Sequence, residues 1–447
     1  MALTGLDIFK QLPKTNCGDC GVPTCLAFAM KLAQGGAELS SCPHVSDEAA
    51  AALSEAAAPP MRGVTVGVGD AAFTVGEETV MYRHEKTFVN PCAIGTSVDS
   101  GASDSDVDAM IAAAKAANFE RVQQKLACGF IAVRSTADAA SFATVAKKVS
   151  DAGLAVVLVT EDADHASAAL DAIAAAKPLL HAATEANADA MIELAKKHSV
   201  PLAVRASGLA AVSALTEKAA AAGLKDIVID SAPTTAGEAL RDHVLARRSA
   251  LLKKFAPLGY PIISFPGELA GGDAMLEVVY AAVDVDKYAS IIVLSGAEPW
   301  QMLPPLVLRQ NIYTDPQRPM RAESKIYEIG NPGADAPFVV TTNFSLTYFI
   351  VSSEIESAKV PMYLGIVDSE GLSVLTAWAA GKFVPERIAK FVSDSGITDK
   401  IKHREVIIPG AVAQISGELK EELDGWDVVV GPYEAADLGS FVKKRAS

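Results

Sequence analysis

Residues 129–159, GFIAVRSTADAASFATVAKKVSDAGLAVVLV, hold the pattern that decides the fold. The apolar run Gly129 to Arg134 and the β-branched run Ala155 to Val159 read as strands, and the Ala-rich piece Phe142 to Lys148 between them has helical apolar spacing. Two strands without polar alternation, joined by an amphipathic helix, predict parallel neighbours covered on both faces. The unit then repeats. Further strands are expected at Lys86 to Asn90, Pro178 to Ala182, Pro201 to Arg205, Asp226 to Ile229, Pro261 to Ser264 and Ser290 to Leu294, with helices such as DAMIAAAKAA, DAMIELAKKH and AVSALTEKAAAAG between them. Eight strands alternating with helical connections fit a TIM (β/α)8 barrel; an open doubly wound sheet is the alternative, because periodicity reveals alternation and not closure. Before the barrel, VTVGV and EETVMYR read as a two-stranded entry hairpin.

The rest of the chain frames this centre. Its 447 residues suffice for about three domains. A hydrophobic fraction of 50% excludes global disorder, and six cysteines are too dilute for a disulfide-held secreted scaffold. A net charge of -15 argues against nucleic acid as a partner, since no basic surplus exists to displace phosphate counterions. The opening MALTGLDIFKQLPKTNCGDC lacks a basic start followed by an apolar run, so a cytoplasmic location is expected. The uncharged span Ala336 to Ser353 carries Pro, Asn, Thr and Ser, and reads as a strand, loop and helix start with no membrane role.

Four cysteines, Cys17, Cys20, Cys25 and Cys42, fall in an N-terminal unit, residues 1–58, that ends at the Pro59-Pro60 pair. Their C-x2-C-x4-C-x16-C spacing suits four thiolates around a [4Fe-4S] cluster; a structural zinc, or unrelated thiols, are the other readings. Cys92 and Cys128 lack close partners and read as buried thiols.

The central unit spans residues 59–325, and residues 326–447 form a third, α/β unit. Its strands are expected at Phe338 to Asn343, Pro361 to Asp368, Glu405 to Pro409 and Val428 to Gly431. Ligand-facing loops belong at the carboxyl ends of such strands. VDSEGLSVL, TTNFSLTYF and GPYEAADLG offer glycine, hydroxyl and amide groups there; for the first, a plain strand-to-helix turn with Gly371 serving conformation alone is the favoured account, and each of the three is a weak signal by itself. No stretch matches a phosphate loop or a dinucleotide fingerprint. The seven histidines form no compact metal motif, and His84, Glu85 and His181 would meet only if a barrel mouth gathered them. No catalytic acid, base or nucleophile is assigned.

At the level of NCGDCGVPTCLAFAMKLA with the later SCP, and of TTNFSLTYF, DSEGLSVLTAWAAGKF and GPYEAADLG, the sequence resembles the large (gamma) subunit of the corrinoid/iron-sulfur protein of the reductive acetyl-CoA pathway. The resemblance spans nearly the whole chain. It implies a small N-terminal iron-sulfur domain with Cys17, Cys20, Cys25 and Cys42 as cluster ligands, a central TIM barrel, and a C-terminal α/β corrinoid-binding domain. The implied corrinoid contacts are Thr341, Leu346, Thr347, Glu370, Gly371, Leu372, Ser373, Val374, Gly431, Pro432 and Ala436. Cobalamin proteins that supply a lower cobalt ligand use DxHxxG; no histidine here is followed three residues later by glycine. The implied cofactor is therefore a base-off benzimidazolyl cobamide cycling between Co(I) and methyl-Co(III). The implied activity is methyl transfer from methyltetrahydrofolate, through a separate methyltransferase, to the nickel site of acetyl-CoA synthase, with the cluster reducing stray Co(II). The implied partners are a small subunit in a heterodimer, that methyltransferase, and carbon monoxide dehydrogenase/acetyl-CoA synthase. Two other functions fit the residues taken alone: an iron-sulfur electron-transfer scaffold, and a barrel hydrolase or lyase with structural zinc.

Overall fold

The structure, a computed structural model, describes residues 5–33, 37, 39–46, 49, 53, 60–122, 124–316 and 319–446. Near the N-terminus, helices Gly5–Gln11 and Cys25–Ala33 pack around Ile8, Leu12, Val22, Phe28 and Ala29. Cys25 and Cys42 belong to that small core, so the thiol-bearing loop is anchored at two of its four sulfurs.

Strands β1 (Val64–Val66) and β2 (Phe73–Val75) form an antiparallel hairpin. After β3 (Ala93–Asp99), a ribbon of β4 (Asn118–Arg121) and β5 (Gln124–Ala127) interrupts the alternation. Then follow β6 (Phe130–Arg134), β7 (Ala155–Val159), β8 (Leu179–Ala183), β9 (Leu202–Arg205), β10 (Ile227–Asp230), β11 (Ile263–Ser264) and β12 (Ile291–Leu294). These seven and β3 lie in the parallel order β10-β9-β8-β7-β6-β3-β12-β11. The ends meet where Ile229 bridges Ile262 and its amide donates to the Pro261 carbonyl at 2.8 Å, which closes the sheet into a barrel and removes the open-sheet alternative.

Alternation within each strand sorts the core. Ala93, Phe130, Ala132, Val157, Leu179, Ala203, Val228 and Ile291 point inward and pack with Val64, Val66 and Val75 of the hairpin. The hairpin plugs the amino-terminal end: the Gly67 amide donates to the Lys177 carbonyl, two residues before β8, at 2.9 Å. Ile94, Ile131, Val133, Val156, Leu158, Leu180 and Leu202 point outward against Ala-rich helices. Each buried aliphatic side chain contributes about 1.5–3 kcal/mol relative to exposure.

Two expectations fail here. Lys86 to Asn90 is irregular; Phe88 is buried there with the Arg247 guanidinium 5.3 Å from its ring. The first barrel strand is instead AIGTSVD, whose Gly, Thr and Ser interrupt the apolar run that marks the other strands. EETVMYR is likewise not a strand, since Glu78 is buried, accepts from the Val89 amide at 3.0 Å and lies 3.5 Å from Arg247. A side chain that serves the backbone in this way replaces ladder pairing.

The last sheet contains β13 (Ile326–Ile329), β14 (Phe338–Thr342), β15 (Met362–Val367), β16 (Glu405–Ile408) and β17 (Asp427–Val430), in the order β13-β15-β14-β16-β17. Only β13 is antiparallel, as an edge strand whose IYEI sequence carries too little apolar signal to be read. Separate apolar cores cover the two faces. β15 is added on one side of β14 and β16 on the other, so the connections diverge there and leave a crevice at the carboxyl ends of the parallel strands β14 and β16. Among the described residues no helix is long and apolar enough to cross a membrane; Ala336 to Ser353 is β14, a turn and the start of helix Ser345–Ala358.

Candidate functional site

The four N-terminal thiols are brought into one small unit by local hydrogen bonding. Asn16, at a φ of 50°, accepts from the Cys25 amide at 2.8 Å through Oδ1, and its own amide lies 3.4 Å from Cys25 Sγ. Gly18 and Gly21, at φ of 80° and 74°, turn the chain around Cys20. Cys25 and Cys42 are buried, Cys20 is partly covered and Cys17 is exposed, and all four are free thiols. Among the described residues, the group of three candidate ligand atoms within 4.8 Å of one another is Cys17, Asp19 and His44, and no three of the four sulfurs meet that distance. Beside the loop, hydrogen bonds from His44 and then Cys17 hold the Asp19 carboxyl below its usual range.

The second site lies at the switch between β14 and β16. A cavity of about 310 Å³ opens there, walled by Val339 to Thr341, by Thr347, Ile350 and Val351 of the following helix, by Ile407 to Pro409, and by Gly431 to Tyr433. Its walls are mainly aliphatic, with the hydroxyls of Thr341, Thr347 and Ser373 set among them. The rim stays apolar as well: Ile350, Leu375 and Tyr433 are 47%, 46% and 67% exposed. Large apolar side chains left in water around an aliphatic cavity mark a surface shaped for a sizeable ligand.

Backbone approach sets the floor of this cavity. A Cβ on Gly431 would lie 2.9 Å from Ile407 Cγ2 and 3.0 Å from the Ile408 carbonyl oxygen, so the ends of β16 and β17 come together only with glycine there. The loop after β15 is held by Asn343, whose Oδ1 accepts from the Ser369 amide, the Ser369 hydroxyl and the Gly371 amide at 3.0, 2.9 and 2.8 Å. Within the loop, Glu370 pairs with Lys382 at 2.6 Å, and that hydrogen bond holds its carboxyl below the usual range.

Of the residues the sequence singled out, Thr341, Thr347, Ser373, Val374, Gly431 and Pro432 line the cavity. The others do not. Leu346 is 55% exposed and faces a different recess, Leu372 packs on the apolar core, Ala436 is exposed beside the lining Ala435, and Glu370 and Gly371 shape the loop from outside. Asn343, Ile350, Leu375 and Tyr433 were not singled out. Asn343 stood within the TTNFSLTYF segment, but a buried acceptor serving another loop leaves no local sequence signal.

The barrel mouth carries its own polar network. His181 Nε2 lies 2.9 Å from Asp230 Oδ2, Arg205 lies 3.3 Å from the same carboxylate, and Glu268 joins Arg134 at 2.9 Å. These side chains fill the mouth. His84 is not among them: it stacks on Tyr82 in the segment before β3, so the His84, Glu85 and His181 grouping does not form. Cys92 and Cys128 are buried, and burial pushes their thiols up to about 12 and about 11, which leaves them unreactive near neutral pH.

Residues 63–442 match the family described as CO dehydrogenase/acetyl-CoA synthase delta subunit, and residues 12–44 match one described as "Putative Fe-S cluster". The corrinoid/iron-sulfur protein large subunit of Moorella thermoacetica is 46% identical over 99% of both chains. Acetyl-CoA decarbonylase/synthase complex subunits gamma from Methanothermobacter thermautotrophicus and Methanopyrus kandleri are 33% and 34% identical, covering 100% of both chains in the first case and 99% of this chain and 98% of the relative in the second. A dihydropteroate synthase structure from Thermus thermophilus overlaps 56% of this chain and 99% of its own at 17% identity, with a TM-score of 0.39, too distant to add to the strand order already described.

Proposed function

Because this chain belongs to the family of corrinoid/iron-sulfur protein large subunits of the CO dehydrogenase/acetyl-CoA synthase system, we propose that it is a methyl carrier whose corrinoid sits at the carboxyl ends of β14 to β17. The observation that carries this reading is the cavity at the β14/β16 switch, aliphatic inside and apolar at its rim. The bound corrinoid supplies a cobalt centre that accepts a methyl group from methyltetrahydrofolate on a separate methyltransferase and releases it to the nickel site of acetyl-CoA synthase, while a [4Fe-4S] cluster supplies the electron that restores an oxidised centre.

The protein's part is holding and shielding. Thr341, Thr347 and Ser373 would offer hydroxyls to the polar groups of the cofactor, and the exposed Ile350, Leu375 and Tyr433 would give its ring an apolar rim. Among the described residues the lining contains no histidine, which agrees with a base-off cofactor and with the missing DxHxxG pattern. Cys17, Cys20, Cys25 and Cys42 are the cluster ligands in this reading; the Asn16 and glycine turns preset them, and the buried Cys25 and Cys42 shelter one side from water. The units divide as residues 1–58 for the cluster, 59–325 for the barrel and 326–447 for the corrinoid. The partners are a small subunit in a heterodimer, the methyltransferase, and carbon monoxide dehydrogenase/acetyl-CoA synthase.

One carrier serving two different centres requires the corrinoid unit to change its placement, because a packed barrel does not rearrange internally at low cost. The test is anaerobic co-expression with the small subunit, followed by methyl transfer from methyltetrahydrofolate in the presence of the methyltransferase. Methylation of the bound corrinoid is expected. A loaded protein that never accepts methyl would refute the carrier role and leave an electron-transfer scaffold.

A further inference from the structure

Between the barrel and the last sheet, on the side of the loops that follow β14 and β15, the structure holds two recesses of about 440 and 430 Å³. Thr314, Asp315, Pro319 and Met320 wall both of them. Lys125, Arg309 and Arg321 line the first, and Arg83 and Arg121 line the second. Among the described residues none of these five cations lies within ion-pair distance of a carboxylate, although the Arg321 charge helps to lower the Glu370 carboxyl, whose own partner is Lys382. Their partners are neutral: Arg83 donates to the Thr314 carbonyl at 3.0 Å, Arg309 to the Cys92 carbonyl at 3.0 Å, and Arg121 lies over the Phe349 ring at 5.4 Å. Arg83 Nε is buried without an acceptor.

This is an unusual place for such charge. The chain carries a net charge of -15, yet among the described residues Asp315 is the one acid lining either recess. Like charges gathered around partly enclosed space repel, and the repulsion is relieved when an anion enters. Arginine forks match phosphate oxygens in a way that neutral acceptors do not use up. A recess of this size accommodates a small organic phosphate.

We propose that the junction between barrel and C-terminal sheet is a binding site for a small phosphate-bearing anion, gripped by Lys125, Arg309 and Arg321 with Arg83 and Arg121 behind the linker. An anion bound there ties the linker to the barrel. The recesses adjoin the loop after β15, where Arg321 packs on Gly371, so the test reads anion binding with the cofactor already in place.

Inorganic pyrophosphate is titrated calorimetrically, at low ionic strength, into the full chain carrying its cofactors and companion subunit. Saturable binding is expected, weakened roughly tenfold or more by Lys125→Gln with Arg321→Gln, which removes two charge-assisted contacts. Lys253→Gln with Lys254→Gln, which line neither recess, should leave it unchanged. No saturable binding to the unaltered protein overturns the proposal, as does equal loss in the control pair. Binding of a polyglutamate peptide without pyrophosphate also overturns it, and would make the junction a protein-docking surface.

Discussion

Asn343, just past β14, donates from Nδ2 to Asp368 Oδ1 at 2.8 Å, just past β15. With its Oδ1 accepting from Ser369 and Gly371, one amide fixes the end of β14, which borders the cavity, against the end of β15 and the loop that leads to Ser373. Asn343→Ala leaves those buried donors without an acceptor and should cost about 2–4 kcal/mol in urea unfolding. Asn343→Asp keeps the acceptor but sets a carboxylate against Asp368, so it should not restore stability at neutral pH. Both variants should retain less cobalt per chain after purification. Unchanged stability and loading would remove Asn343 from the account.

Gly431 tests the floor of the same cavity. Gly431→Ala forces a methyl into contact with Ile407 and the Ile408 carbonyl, and should destabilise by about 1–3 kcal/mol with reduced corrinoid retention. Denaturant unfolding and the visible corrinoid absorbance measure the two effects separately. A variant as stable and as well loaded as the parent would contradict the close approach of β16 and β17.

The cysteines divide by environment. Cys25→Ser and Cys42→Ser should lose iron on anaerobic purification, whereas Cys92→Ala and Cys128→Ala should keep it. In iron-stripped native protein, iodoacetamide at pH 8 should modify Cys17 well before Cys92 or Cys128, whose thiols burial pushes up to about 12 and about 11. Loss of iron from Cys92→Ala would show that the N-terminal four are not the whole ligand set.

These particulars show what the sequence makes legible. Long β-branched runs such as Ala155 to Val159 declare themselves, because a strand buried on both faces has no polar alternation. AIGTSVD does not, since its glycine avoids a clash with Phe130, and such small residues are chosen by a neighbour and not by local propensity. Strand-end loops could be marked as ligand-facing from topology. Which side chains line the cavity depends on helix rotation, so Thr347 and Ile350 line it while Leu346 turns away. Asn343 illustrates the remaining limit: its partners are 25 to 28 residues distant, beyond any local pattern.

Asp230 gives a pH dependence. Burial alone would raise its carboxyl, but the His181 hydrogen bond and charge, with Arg205, prevail and hold it below the usual value. A carboxyl that titrates lower folded than unfolded adds stability that is complete above the unfolded value, about pH 4, and is lost as pH falls through the folded one. Asp230→Asn should therefore cost on the order of 3 kcal/mol at pH 7, and the gap from the parent should narrow below about pH 4. Urea midpoints between pH 7 and pH 3 check this. A gap independent of pH would mean that Asp230 is not held ionised as described.

Cofactor stoichiometry tests the central claim most directly: iron, cobalt and the visible spectrum of the anaerobically purified chain, co-expressed with its companion subunit under cobamide supply. The account predicts iron together with one reducible base-off corrinoid per chain, its retention lowered by Gly431→Ala. Protein that holds its iron yet takes up no cobamide under those conditions would contradict it.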